Sequence, residues 1–319
     1  MKSSSSPSPT LTIEQLSGLA SFQDMGREHA QHLGFSASGV ADLHAAAFAN
    51  QVLNKPVNSP VIELKLAELT IISSIDLECC LTGAECTATI DNHPIVFWQK
   101  FTIKAGQSLK ISRPIRGVYA YLTTSYNFTP PLFLASSSPV PAVMSNEIGI
   151  HPLKAGERIA LSSVMSTSSE KPQWYYRPRP RNFYHFEHLY LRFIPSNLYL
   201  AQSNEIRQSF LSQTYSVSND SNKMGYRFDG SPLLLDSGLF QLLSRPTPYG
   251  AIQINAQGLP IVLMKDRQTI GGYPVFGYVM QTDLYRLSQM RPKTKLTFSE
   301  VTLRFAQQQL TMFNQRLAI

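Results

Sequence analysis

VIELKLAELTIIS at residues 61–73 is the stretch from which the fold can be read. Its β-branched and leucine residues fall into two short runs, 61–66 and 69–73. The same pattern returns in LECCLT at 77–82, CTATI at 86–90, SLKI at 108–111 and GVYAYLT at 117–123. The turn-forming pairs Asp91-Asn92, Ala105-Gly106 and Arg116-Gly117 separate these runs. Short strands at this spacing predict antiparallel sheet, arranged as a sandwich or a barrel. Upstream, GVADLHAAAFANQVL at 39–53 carries Leu43, Ala46, Ala47 and Val52 on one stripe, which predicts a helix capped by Ser38. Downstream, the second half reads as a strand at 188–193, a helix at 204–211, hairpin strands at 213–217, 251–254 and 260–264, a short helix at 283–290 and a strand at 295–298. Leu303, Ala306, Leu310, Phe313 and Leu317 recur at helical spacing and predict a closing amphipathic helix. The chain is therefore expected to be mainly β with a few peripheral helices.

Along its 319 residues, 43% hydrophobic and 15% charged, the chain divides into five expected parts. These are a disordered leader at 1–11, a mainly β part at 12–165, a Pro/Arg/aromatic linker at 166–186, a second β part at 187–305 and the closing helix at 306–319. A net charge of +7 without a basic stripe argues against a nucleic-acid partner. The three cysteines, two of them the neighbours Cys79 and Cys80, offer no disulfide framework and no C-x-x-C. With no apolar signal segment at the start, a reducing, cytoplasmic setting is expected. The uncharged stretch 117–146 is long enough to span a bilayer, but Pro130, Pro131, Pro139, Pro141 and the serines 136–138 exclude a membrane helix.

Several motifs fail on inspection. GFSASG at 34–39 has Ser38 where a nucleophile elbow needs glycine. His185 and His188 would point to opposite faces of a strand, so no metal-ligand set is expected. Gly271-Gly272 lacks the Lys-Ser/Thr of a phosphate loop.

One segment resists a bland reading. The apolar run 260–264 delivers Lys265, Asp266, Arg267, Gln268 and Thr269 into Gly271, Gly272, Tyr273 and Pro274. An arginine beside an aspartate, followed by glycines that let backbone N–H groups approach a ligand, is the composition of an anion-binding loop, and equally of a hairpin with a polar turn. DRQTIGGYP, with GAIQ at 250–253 before it and TDLYRLSQMRP at 282–292 after it, resembles the signature of the biotin-dependent carboxyltransferase family. That family includes allophanate hydrolase subunit 2, the carboxyltransferase region of urea carboxylase and the C subunit of 5-oxoprolinase. SFQDMGREHAQHLGFSASGVADLHAAAFAN at 21–50, Glu63-Leu64, LTGA at 81–84 and NKMGYR at 222–227 are similar to further family patterns.

The resemblance implies a cyclophilin-like β-barrel architecture and a partner homologous to the B subunit of 5-oxoprolinase or to allophanate hydrolase subunit 1, with an A subunit to complete the complex. It implies an ATP-dependent opening of the lactam of 5-oxoproline to glutamate, with ATP and Mg at the complex. The alternatives are a carboxyltransferase acting on urea-like amides, which would need biotin on a partner, and a non-catalytic regulatory partner of a subunit 1 homologue. The absence of a biotin-carrier Met-Lys-Met motif and of a carboxylase domain favours the first. On the matching positions, Asp266, Arg267 and Gln268 are expected to be catalytic. Gln23, Asp24, Arg27, Ser38, Asp42, Asn222, Arg227, Gln253, Gly271, Gly272 and Tyr273 are expected to bind the substrate.

Overall fold

A computed structural model describes residues 8–139, 147–163, 184, 186–241 and 243–317. Most of the expected leader and linker, His185 included, lies outside the described residues. The chain forms two compact units, residues 1–25 with 44–177, and residues 26–43 with 178–319. Segment 26–43, expected in the N-terminal part, thus belongs with the C-terminal half. No described helix is long and apolar enough to cross a membrane.

The first unit is built on one long antiparallel pair, Thr10–Gln23 with Val61–Ser73, in register from Leu11 opposite Ser73 to Gln23 opposite Val61. This corrects the leader, because the strand starts at Thr10 and Leu11 is fully buried. It also joins the two runs 61–66 and 69–73 into one strand. The break between them is a register shift at Gly18, which has φ +93°, opposite Leu66 at φ +46°. A Cβ on Gly18 would lie 2.7 Å from the Leu66 carbonyl oxygen, so glycine is required for the bulge. Leu77–Glu85 and Arg116–Thr124 extend the sheet beside Val61–Ser73. Leu11, Ile13, Ile62, Leu64, Leu81 and Leu122 form the centre of its core.

The helix spans Leu43–Val52 rather than 39–53. Ser38 and Gly39 have φ of +53° and +97°, which no helix start accommodates, so Ser38 is not its cap. Asn50, at the helix end, donates to the carbonyls of Val57 and Ser59 and accepts from the Thr123 hydroxyl.

The second unit is a closed seven-stranded barrel. Its order is His188–Pro195, Val275–Val279, Ala251–Ile254, Pro260–Leu263, Gly225–Asp229, Tyr215–Val217 and Lys295–Glu300, which returns to His188–Pro195. Only the closing pair is parallel, from His188 opposite Lys295 to Phe193 opposite Glu300. Aromatic residues fill the core: Phe210 stacks on Phe298 at 4.6 Å and meets Phe193 and Phe276 edge-on at 5.6 Å. Helix Gln281–Ser288 is fixed to the barrel by buried Asp283, whose carboxylate takes the Arg192 guanidinium at 2.6 and 2.9 Å. The closing helix runs Leu303–Leu317 and places Phe313 against Tyr285, ring centroids 5.2 Å apart.

Candidate functional site

Strand Pro260–Leu263 is buried throughout, between Gly225–Asp229 and Ala251–Ile254, so the polar residues after it emerge at the barrel's end. The turn 222–225 fixes the exit. Met264 N–H donates to Met224 C=O at 2.9 Å and Asp266 N–H to Lys223 C=O at 2.8 Å. Asn222 shapes that turn, its side-chain oxygen accepting Met224 N–H at 2.8 Å. Past the turn, Ile270–Gly271 pairs with Arg245–Pro246.

The predicted catalytic trio occupies three environments. Asp266 is half-buried, Gln268 exposed, and Arg267 only 6% exposed. Arg267 Nε donates to the Thr247 carbonyl at 2.7 Å, and Nη1 to the Met264 carbonyl at 3.4 Å. Its guanidinium carbon lies 5.7 Å from the centre of the Tyr249 ring, and Lys265 Nζ lies 5.1 Å from the same ring. Burial lowers the Arg267 pKa from its ordinary value, the negative potential of Tyr249 opposing it.

Gly271 has a steric role. A Cβ there would stand 3.1 Å from Gln253 Nε2, 3.1 Å from Thr247 Cγ2 and 3.3 Å from Gln268 Nε2. The missing side chain lets two carboxamides converge, one from buried Gln253 on strand Ala251–Ile254 and one from exposed Gln268. Gly272 beside them is half-buried and Tyr273 exposed. Arg227 is exposed between buried Tyr226 and Phe228.

Segment 26–43 reaches the same turn. Ser38 N–H donates to the Lys265 carbonyl at 3.1 Å. Gly26, at φ +101°, lets Arg27 N–H meet the Ala37 carbonyl at 2.6 Å. Arg27 is buried. Asp42 is fully buried, and its Oδ2 accepts from the Tyr184 hydroxyl at 2.5 Å and from Gln289 Nε2 at 2.9 Å. Burial, reinforced by Asp42, pushes the Tyr184 and Tyr249 phenols well above their ordinary range.

Gln23 and Asp24 belong to the first unit. Gln23 is buried and donates to the Ser21 hydroxyl at 3.1 Å. Asp24 is held by the serine run. Oδ1 accepts from Ser136 and Ser138 hydroxyls at 2.6 and 2.9 Å, and Oδ2 from the Ser137 N–H and hydroxyl at 2.7 and 3.1 Å.

Sequence reasoning used the serines 136–138 only against a membrane span and passed over Thr247, Tyr249, Tyr184 and Gln289. For Thr247 and Tyr249 a signal existed, since TPYG at 247–250 runs directly into GAIQ. For Tyr184 and Gln289, no local signal joins positions so distant in the chain from Asp42.

The chain belongs to the family of the carboxyltransferase domain, subdomain A and B, whose model matches residues 33–300, the barrel and its polar turn included. Among curated relatives, the chain is similar to the C subunit of 5-oxoprolinase from Haemophilus influenzae, 30% identical over 296 residues and covering 93% of each chain. It is also similar to the C subunit of 5-oxoprolinase from Escherichia coli, 30% identical over 284 residues, 88% of each. The crystal structure of the Kluyveromyces lactis urea carboxylase shares the fold, with a TM-score of 0.83 at 18% identity over 98% of this chain and 29% of that one.

Proposed function

We propose that this chain is the C subunit of a 5-oxoprolinase and works in an ATP-dependent complex that opens the lactam of 5-oxoproline to L-glutamate. The observation that carries this reading is the 30% identity, over 93% of both chains, with the C subunit of a bacterial 5-oxoprolinase.

Amide resonance makes a lactam carbonyl a poor electrophile, so opening it needs an activated oxygen and stabilisation of developing negative charge. This chain's contribution is binding and orientation. The carboxamides of Gln253 and Gln268 each offer both a donor and an acceptor, the complement of a lactam edge that presents N–H and C=O side by side. Asp266 precedes Gln268 by two residues in the same turn and is half-buried, and a carboxylate there can hold or move a proton. Among the described residues no group of three or more His, Cys, Asp or Glu could hold a metal ion. We assign nucleotide and Mg to the complex with the A and B subunits.

The test is reconstitution. The chain, co-purified with a homologous B subunit plus an A subunit, is expected to release glutamate from 5-oxoproline only when ATP is present, and omitting this chain should abolish release. Turnover that is unaffected by its omission would refute the assignment. The fold shared with urea carboxylase favours one second reading, a carboxyltransferase with a biotinylated partner. Mass spectrometry of co-purified proteins separates the two, because biotinyl-lysine in a partner supports only the second.

A further inference from the structure

The contacts of Arg267 are directed at protein. Two of its five N–H donors are given to the carbonyls of Thr247 and Met264, its guanidinium carbon lies over the Tyr249 ring, 5.7 Å from the centroid, and only 6% of the residue is exposed. Thr247, itself 4% exposed, grips the same turn in three further ways. Its N–H donates to Thr269 C=O at 3.1 Å, its hydroxyl donates to Gln268 C=O, and its methyl abuts Gly271. The bonds that Thr247 makes with Arg267, Gln268 and Thr269 tie segment 245–249 to segment 264–271, the two flanks of the glycine floor.

We infer that Arg267 is a positioning residue, and that Thr247, Tyr249 and Arg267 form a clasp holding Gln268 and Gly271 in register with Gln253. Recognition of substrate then falls to the neutral carboxamides rather than to the guanidinium. An arginine that grips a carboxylate or phosphate uses its planar fork, and lysine cannot replace that geometry. A clasp asks less: one donor for the Thr247 carbonyl and a cation over the ring, both within a lysine's reach.

The experiment compares Arg267→Lys, Arg267→Ala, Tyr249→Phe and Tyr249→Leu by native-state hydrogen exchange and by kinetics of the reconstituted complex. In Arg267→Ala and Tyr249→Leu, exchange of the Thr247 amide is expected to rise at least tenfold, about the effect of losing one buried hydrogen bond, while strand Lys295–Glu300 stays protected. Arg267→Lys and Tyr249→Phe should stay within about threefold of wild type in exchange and in kcat, consistent with retention of the ring and one donor. Equal loss of activity in Arg267→Lys and Arg267→Ala, with wild-type exchange in both, would overturn the inference and place the guanidinium on the substrate. Should Arg267→Ala not fold, Tyr249→Leu and Arg267→Lys decide: unchanged Thr247 exchange in Tyr249→Leu also overturns it. Only the kinetic arm rests on the proposed activity. If the complex leaves 5-oxoproline untouched, that reading fails while the exchange arm still decides the clasp.

Discussion

Replacing Asp24 by Asn is expected to destabilise the first unit before it alters any chemistry. The carboxylate accepts from the Ser136 and Ser138 hydroxyls on Oδ1 and from the Ser137 N–H and hydroxyl on Oδ2, and all three serines are fully buried. Asparagine can keep its oxygen toward Ser136 and Ser138. Its NH2 group must then face the Ser137 N–H, which cannot reverse its polarity as a hydroxyl can. One buried donor left unpaired, together with the loss of charge assistance, amounts to about 2–3 kcal/mol. Asp24→Ala removes every acceptor and should reach about 4–6 kcal/mol, less than a full sum because the hydroxyls rotate to other partners. For a unit of this size, 2–3 kcal/mol corresponds to a melting temperature lower by roughly 5–10 °C. Calorimetry of the wild type and both variants measures it. An Asp24→Asn protein that melts within about 1 °C of wild type yet binds substrate poorly would refute the reasoning, because the carboxylate would then be facing ligand rather than the serines.

Gly26→Ala should lose at least about 2 kcal/mol in urea unfolding, because it combines positive-φ strain with a contact that backbone atoms cannot relieve. A Cβ there would lie 2.6 Å from the carbonyl oxygens of both Ala37 and Ser38. Phe210→Ala, which empties the centre of the barrel's aromatic cluster, should lose about 3–5 kcal/mol, and a loss under 1 kcal/mol would mean that the cluster repacks. Burial pushes the Cys80 and Cys86 thiols up to about 12, and Cys79 higher still. The folded protein therefore keeps protons that the unfolded chain begins to release near pH 9. Their stabilising effect is complete below that pH and declines as pH rises toward the folded values. Lys55, lowered by burial to about 8, has the opposite sign and gains stability as pH rises from about 8 toward its ordinary 10.5. A variant with all three cysteines replaced by Ala should accordingly show a smaller drop in urea midpoint between pH 8 and 10 than wild type, and an identical drop would contradict the thiol burial.

Local pattern made the barrel strands legible. Alternation and β-branching in 251–254, 260–264 and 295–298 match the observed Ala251–Ile254, Pro260–Leu263 and Lys295–Glu300 to within two residues. Thr10–Gln23 was missed because its burial does not alternate cleanly: the bulge at Gly18 shifts the register and leaves Ser17 to Leu19 exposed. The polar turn at 265–269 stood out for its composition, and the structure does gather Gln253, Gln268 and Gly271 there.

By itself, then, the order of residues determined the β-rich character, the positions of most strands and helices, and the polar turn proposed as the site, since each follows from side-chain periodicity and turn chemistry within a few neighbouring positions. Tertiary structure alone decided what individual side chains do. That Arg267 donates to the Thr247 carbonyl, that Asp24 accepts from three serines and that Asp42 pairs with Tyr184 and Gln289 all depend on partners 20 to 247 positions away. Hydrogen bonds are made within about 3 Å in space, and nothing in the local sequence encodes which distant segment the fold brings within that reach.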